Sequence, residues 1–313
     1  MRILAVDDLH HSFEDRLVLE GCVVDFRLDI NSKKDLIENL KNYDVLAVRS
    51  KFFIDKEIID TLPKGYVIAR AGAGMDNIDE EYCIQKNIRL INAPEGNRDA
   101  VAEHVIGMIL SKYRNILKSH TEITKKLWLR EENRGYELKG KTIGIIGFGN
   151  TGSMLAKKLS GFEMNIIAYD KYLSEINDSN VKQVSIKEIT SEADIISIHV
   201  PLTSETRHMI NMDFLNSLEK KPFIINASRG KVIKTSDLVE ALKNGKVMAA
   251  ALDVLENERL ETLNSDENQI FNQLIVSEKV LLTSHIAGWT FESYQRISEV
   301  LVQKLLQINK LTC

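Results

Sequence analysis

The sequence is short of cysteine, of net charge and of long apolar runs, and each shortage closes off a class of protein. Three cysteines occur in 313 residues, Cys22, Cys83 and Cys313, with no paired spacing among them. That excludes a disulfide framework and a zinc site and points to a reducing compartment, with no metal expected. The formal charge is −4, from 41 basic and 45 acidic side chains, which offers no basic footprint for nucleic acid or an anionic membrane. No apolar run approaches the roughly 18 residues of a membrane span. The opening Met1-Arg2-Ile3-Leu4-Ala5-Val6-Asp7 reads as a strand, because a secretory leader needs a longer apolar region and a cleavage site. Short repeats and low-complexity tracts are missing too. The expectation is a cytoplasmic globular chain, long enough at 313 residues for two domains.

What is present is alternation. Short apolar runs alternate with helical patterns along the whole chain, as βαβ units and parallel sheets require. One series of strand candidates covers 2–6, 22–26, 45–49, 67–71 and 89–92. A second covers 142–146, 165–169, 194–199, 223–226, 249–253 and 280–283. The fold class is therefore α/β, with two doubly wound, Rossmann-like parallel sheets. Between the series a helix is expected from Asp99 to about Ser119, with Val101, Val105, Met108 and Ile109 at i, i+4, i+7 and i+8 and with Asn97 or Asp99 as cap. A last helix is expected over Phe291 to Gln307.

The second series opens on Gly147-Phe148-Gly149-Asn150-Thr151-Gly152, between the strand 142–146 and a helical stretch from Ser153. Glycines in that setting allow a tight turn and let backbone N–H groups approach a pyrophosphate at a helix N-terminus. Asp170 ends the next strand, 18 residues beyond Gly152, where a carboxylate accepts from ribose hydroxyls and repels a 2′-phosphate. This favours NAD as cofactor over NADP, although Lys171 stands beside it.

Three later residues carry chemistry: Arg229, Glu258 and His285. Reducing a 2-keto acid takes a hydride at carbon, a proton at the carbonyl oxygen and a cation on the carboxylate. An imidazole serves the proton, and a guanidinium grips carboxylate and carbonyl oxygens at two points. His285 stands in Thr283-Ser284-His285-Ile286-Ala287-Gly288-Trp289-Thr290, Glu258 in Asp253-Val254-Leu255-Glu256-Asn257-Glu258, and Arg229 in Asn226-Ala227-Ser228-Arg229-Gly230.

These motifs resemble those of the D-isomer-specific 2-hydroxyacid dehydrogenases, over nearly the whole chain. The resemblance implies a discontinuous flavodoxin-like substrate domain, 1–95 and 287–313, with an NAD-binding domain, 96–286, inserted into it and a cleft at the two crossings. It makes His285 the catalytic acid and base, with Glu258 holding its far nitrogen and favouring the protonated ring. Arg259 and Ser284 stand where the family commonly has proline, and Glu256 remains the other candidate partner of His285. The segment from Arg259 to Ser277 is expected to be a long polar loop with no evident task. Val200 and Pro201 match the loop at the adenine side. Ala227 and Asp253 match positions near the nicotinamide, Ser228 and Gly288 are further cofactor contacts, and Asp253 read alone is equally a strand-end cap. His199 is expected to be structural. Gly72, Ala73 and Gly74, in Arg70-Ala71-Gly72-Ala73-Gly74-Met75, match a substrate-domain loop whose N–H groups would take the substrate carboxylate.

Within the family the narrower resemblance is to the phosphoglycerate dehydrogenases of serine biosynthesis. It rests on Arg49 and Ser50 in Val48-Arg49-Ser50-Lys51, on Asn97, and on Arg130 in Trp128-Leu129-Arg130, the last from the same chain or a partner subunit. A phosphate with nearly two charges calls for such cations. With the chain stopping at Cys313, a short form without an appended regulatory domain is expected. Hydroxypyruvate, glyoxylate and D-lactate are the other substrates to weigh. A dinucleotide-sensing binding protein like the corepressors on this fold is the alternative of another class. A homodimer is implied, with the apolar face of the 99–119 helix at the contact.

Overall fold

A computed structural model describes residues 1–312 of the protein, so Cys313 lies outside the described residues. The chain divides into two compact units, Met1–Arg98 with Trp289–Cys313, and Asp99–Gly288. The divisions fall slightly later than expected, at 98 against 95 and at 288 against 286.

The first unit carries β1 (Arg2–Ala5), β2 (Val23–Phe26), β3 (Val45–Val48), β4 (Val67–Arg70) and β5 (Arg89–Asn92). All pairings are parallel and the order is β2-β1-β3-β4-β5. Successive residues of one strand enter opposite cores: Ile3, Ala5, Val45 and Ala47 one, Leu4, Val6, Leu46 and Val48 the other. Both faces are thus covered, which is why these strands read as unbroken apolar runs. The order reverses between β1 and β3, and the carboxyl ends there are the usual ligand crevice of such sheets.

The second unit carries β6 (Thr142–Ile146), β7 (Asn165–Tyr169), β8 (Val181–Gln183), β9 (Ile195–Ile198), β10 (Phe223–Asn226), β11 (Ala249–Leu252) and β12 (Val280–Leu282). Their order is β12-β11-β10-β9-β6-β7-β8, again wholly parallel. The edge strand β8 was not expected: three residues, Val-Lys-Gln, with one side chain buried, give no readable period.

Three helical expectations are revised. The helix after β5 begins at Pro94, not Asp99, because proline suits a first helical turn, and it ends at Tyr113. Asn97 and Asp99 therefore lie inside it and do not cap it. Asn115 takes a left-handed backbone, φ 52°, and a second helix runs over Ile116–Thr124. The closing helix extends over Phe291–Thr312. The expected polar loop 259–277 holds a helix, Ser265–Ile275, started by a capping box between Asn264 and Glu267, with Leu274 in the core.

Val101, Val105, Met108 and Ile109 are all buried, the last three inside the core of the second unit. That face is unavailable for the dimer contact expected of it. The exposed apolar side chains follow it instead: Ile116, Leu117, Ile123, Leu127 and Trp128. Among the described residues, no helix is long and apolar enough to cross a membrane.

Phe223 starts the interior strand β10 and is fully buried among Tyr113, Ile195 and Ala249. Phe223→Ala should cost about 3–5 kcal/mol of stability, read as a lower denaturant midpoint with an unchanged slope.

Candidate active site

The glycine turn is dictated by steric exclusion. Gly147 follows β6 at φ +93°, and a Cβ there would fall 2.5 Å from the His199 carbonyl oxygen. A Cβ on Gly152 would fall 2.1 Å from the carbonyl oxygen of Gly147, so the helix Asn150–Leu159 can start there only on a glycine. The turn and helix N-terminus form a cradle of bare backbone that suits a pyrophosphate. Asp170, just after β7, accepts from Phe148 N at 2.8 Å through Oδ2, and from Tyr172 N (2.9 Å) and Leu173 N (3.2 Å) through Oδ1. The carboxylate thereby sits against the glycine turn, and Lys171 is paired with Glu205 at 2.5 Å.

His199 is buried behind this turn. Its Nε2 lies 2.8 Å from Ser197 Oγ and its Nδ1 3.2 Å from Thr151 Oγ1. No carboxylate faces it among the described residues, and burial lowers its pKa to about 4, so the ring is neutral and holds Thr151 in place. The adjoining loop is closed by Thr206 Oγ1 donating to the Pro201 carbonyl at 2.6 Å, one residue after Val200.

Arg229 lies in a short loop after β10 that Asn226 clasps. The Asn226 Oδ1 accepts from Ser228 N and Oγ at 3.0 and 2.8 Å, and its Nδ2 donates to the Arg229 carbonyl at 2.9 Å. Ala227, half-buried, packs on the core beneath. Arg229 Nη1 donates to the Ser228 carbonyl at 2.7 Å. Gly230 then lets the loop touch the segment leading to Glu258, since a Cβ there would fall 1.9 Å from the Leu255 carbonyl oxygen.

His285 Nδ1 lies 2.9 Å from Glu258 Oε2. Glu256, the other candidate, is turned elsewhere: its Oε2 lies 2.8 Å from His208 Nε2 and its Oε1 accepts from Thr235 N at 2.6 Å. With Nδ1 engaged, His285 Nε2 has no hydrogen-bond partner among the described residues. The His285 backbone is left-handed, φ 56°, an uncommon state for a side chain of this size. It is held by Asp253, 1% exposed, whose carbonyl accepts from His285 N at 2.8 Å. The Asp253 carboxylate accepts from Thr283 Oγ1 (2.6 Å), Ile286 N (2.9 Å) and Ala287 N (2.9 Å). This is the geometry of the strand-end cap that Asp253 alone suggested. His104 adds its Nε2, 3.1 Å from Thr283 Oγ1 and 3.6 Å from Asp253 Oδ1. Gly288 ends the unit just beyond.

In the first unit Gly72 has φ +148°, and a Cβ there would overlap the Arg70 guanidinium. The Gly72 carbonyl accepts from Ala93 N at 2.9 Å and that of Ala73 from Asn92 Nδ2 at 2.7 Å. These bonds anchor the loop, and the Ala73 and Gly74 N–H groups carry no hydrogen bond to another described residue. Asn97 Oδ1 is buried with no hydrogen-bond partner among the described residues. Arg49 is half-buried and Ser50 exposed, directly after β3. Arg130 is exposed in a loop of the second unit, tied down by Asn133 Nδ2 to the Leu129 carbonyl at 2.8 Å. Arg49 and Arg130 therefore belong to different units.

Residues 106–287 match the model of the D-isomer specific 2-hydroxyacid dehydrogenase, NAD binding domain. The chain belongs to this family. D-3-phosphoglycerate dehydrogenase of Methanocaldococcus jannaschii is 36% identical over 312 residues, 98% of this chain and 57% of the relative. Hydroxypyruvate reductase of Thermotoga maritima is 37% identical over 275 residues, 88% of each chain. The chain thus spans little more than half the length of its phosphoglycerate dehydrogenase relatives, 57% and 58% for the two archaeal ones. Among solved structures, D-lactate dehydrogenase of Aquifex aeolicus, in complex with NAD and lactic acid, superimposes with a TM-score of 0.84 at 27% identity, covering 99% of this chain and 96% of that one.

As a member of the family the chain has an NAD-binding domain, and its glycine cradle and Asp170 carboxylate fit that cofactor. Sequence reasoning did not single out His104, because a lone histidine on a helix carries no signal until the fold sets it beside Thr283. Trp289 was missed although it stands inside the histidine motif.

Burial of neutral His199 has a consequence for pH. Its pKa falls from 6.5 to about 4 on folding, so the unfolded chain binds the proton more readily between those values. Stability should be whole above pH 6.5 and decline as pH falls toward 4, by about 3 kcal/mol from this group. Chemical denaturation of His199→Gln at pH 7 and at pH 4.5 should show a smaller difference than in the wild type.

Proposed function

We propose that the protein is an NAD-dependent D-2-hydroxyacid dehydrogenase, with His285, Glu258 and Arg229 as its catalytic residues. The observation that carries this reading is the 2.9 Å pair of His285 Nδ1 and Glu258, on a segment that the Arg229–Gly230 loop touches. When bound, the cofactor would supply the hydride as NADH or accept it as NAD+. His285 Nε2 gives the carbonyl oxygen its proton and takes it back in the oxidative direction, while Glu258 holds Nδ1 and so fixes the orientation of the ring. Arg229 grips the carboxylate and polarises the carbonyl.

In this reading the second unit holds the cofactor through Gly147, Gly149, Asn150, Thr151, Gly152, Asp170, Val200, Pro201, Ala227, Ser228, Asp253 and Gly288. Asp253 acts mainly by holding the histidine segment. Substrate selection falls to Arg49, Ser50, Gly72, Ala73, Gly74 and Asn97 of the first unit, with Arg130 from this chain or a partner. NAD is preferred over NADP, because the Asp170 carboxylate beside the glycine turn would repel a 2′-phosphate and Glu205 neutralises Lys171.

The substrate pair we favour is 3-phosphoglycerate and 3-phosphohydroxypyruvate, which places the enzyme in serine biosynthesis. Similarity to the Methanocaldococcus enzyme and the half-buried Arg49 support it. Hydroxypyruvate or glyoxylate is the second reading, favoured by the Thermotoga reductase, which this chain matches over 88% of its length. We also propose a homodimer through the exposed apolar residues between Ile116 and Trp128. Light scattering should then find twice 35.5 kDa at micromolar concentration, and a single-chain mass would remove the dimer.

A panel of 2-keto acids followed by NADH oxidation tests the activity. His285→Ala should lose turnover by about 10³-fold or more yet bind NADH, and Arg229→Lys should raise KM and lower kcat together. Glu258→Gln should lower kcat by about 10- to 100-fold. Glu256→Gln should affect stability more than kcat, and the reverse ranking would make Glu256 the partner. Phosphohydroxypyruvate should be the best substrate, and comparable kcat/KM for hydroxypyruvate would leave only the broader assignment. Asp170→Ala should erode the preference for NADH over NADPH.

A further inference from the structure

Arg49 is the cation of the first unit whose setting is least ordinary. It stands just past the carboxyl end of β3, where the order β2-β1-β3-β4-β5 reverses and parallel sheets open their ligand crevice. Its guanidinium carbon lies 3.9 Å from the centre of the Trp289 ring. Trp289 is itself braced by Tyr294, ring to ring at 5.6 Å and 69°. The Arg49 side chain forms no hydrogen bond or ion pair with any described residue. The acids nearby are engaged otherwise: Asp7 Oδ2 accepts from Arg49 N at 2.6 Å and Lys51 N at 3.4 Å, and Asp8 takes the Tyr294 hydroxyl. Burial works against the Arg49 charge and pulls its pKa down, although the group stays cationic.

A guanidinium lying on an aromatic face keeps the N–H donors of its edge free, and partial removal from water strengthens any anion it meets. A surface arginine would instead be hydrated or paired with one of these aspartates. We infer that Trp289 is a specificity-determining residue, which holds Arg49 as a receptor for an anionic group of the substrate, phosphate or carboxylate, at the carboxyl end of the first unit's sheet. This rests on the proposed dehydrogenase reading and adds to it a residue and the class of substrate selected. An arginine alone would attract anions of any shape, whereas one held over an indole face has fewer orientations open to it and discriminates by position.

The chain contains two tryptophans, Trp128 and Trp289, so a Trp128→Phe background isolates the emission of Trp289. In the full-length protein with NADH, 3-phosphoglycerate should change that emission saturably, while D-glycerate, which lacks the distal anion, should not. Inorganic phosphate as a further probe should compete with the phosphorylated ligand. In kinetics, Trp289→Leu should lower the ratio of kcat/KM for phosphohydroxypyruvate over hydroxypyruvate by about fivefold to tenfold, chiefly through KM, and Trp289→Phe should restore part of it. Equal emission changes with D-glycerate, no change with 3-phosphoglycerate, or an unaltered ratio in Trp289→Leu would each overturn the inference. If Trp289→Leu fails to fold, the fluorescence titration of the Trp128→Phe protein decides alone. Wild-type protein that oxidises NADH with hydroxypyruvate but shows no emission change would sink the anion receptor and keep the dehydrogenase. A protein that turns over no keto acid yet shows the phosphate-specific change would do the opposite.

Discussion

Asp253 lies at the end of β11 with 1% of its surface exposed, and both of its oxygens accept from the segment 283–287. A carboxylate removed from water is costly unless charge-assisted hydrogen bonds replace hydration. Here one hydroxyl and two backbone N–H groups do so, and those donors flank His285. The same bonds that make the burial tolerable hold His285 in a left-handed backbone that it would not adopt alone. Glu258 then needs to supply one further contact. The proposed catalytic pair is half exposed and gains little from its own attraction, so its geometry comes from the buried acid behind it.

The close approaches elsewhere follow the same logic of exclusion. Gly147 and Gly152 let the β6 turn and its helix come together, and Gly230 lets the arginine loop meet the carbonyl of Leu255. At each a methyl group would overlap backbone, which cannot swing away. The sheets beneath are parallel and covered on both faces, so the strand ends do not shift and the loops on them inherit their precision.

The eleven anticipated strands all occur, within a residue or two, because parallel strands rich in Ile, Val, Leu and Ala, most of them buried, leave a plain signal in sequence. Edge strand β8 has no such signal. The helix Ser265–Ile275 was legible locally in Asn264-x-x-Glu267, a capping box hidden among polar residues. The break at Asn115 was not, since asparagine is tolerated in helices and its left-handed turn is selected by packing.

By itself the sequence determined the α/β class, the glycine turn with its following acid, and the motifs that hold Arg229, Glu258 and His285. These are local: each depends on residue type and on a spacing of a few positions. The tertiary structure alone decided that Glu258 and not Glu256 meets His285, because His208 and Thr235 compete for Glu256 from distant parts of the chain. It decided also that Val105, Met108 and Ile109 serve the core, and that Arg49 lies on Trp289, 240 positions away. Periodicity reports that a face is apolar but not what covers it, and spacing does not report which of two carboxylates is already bound.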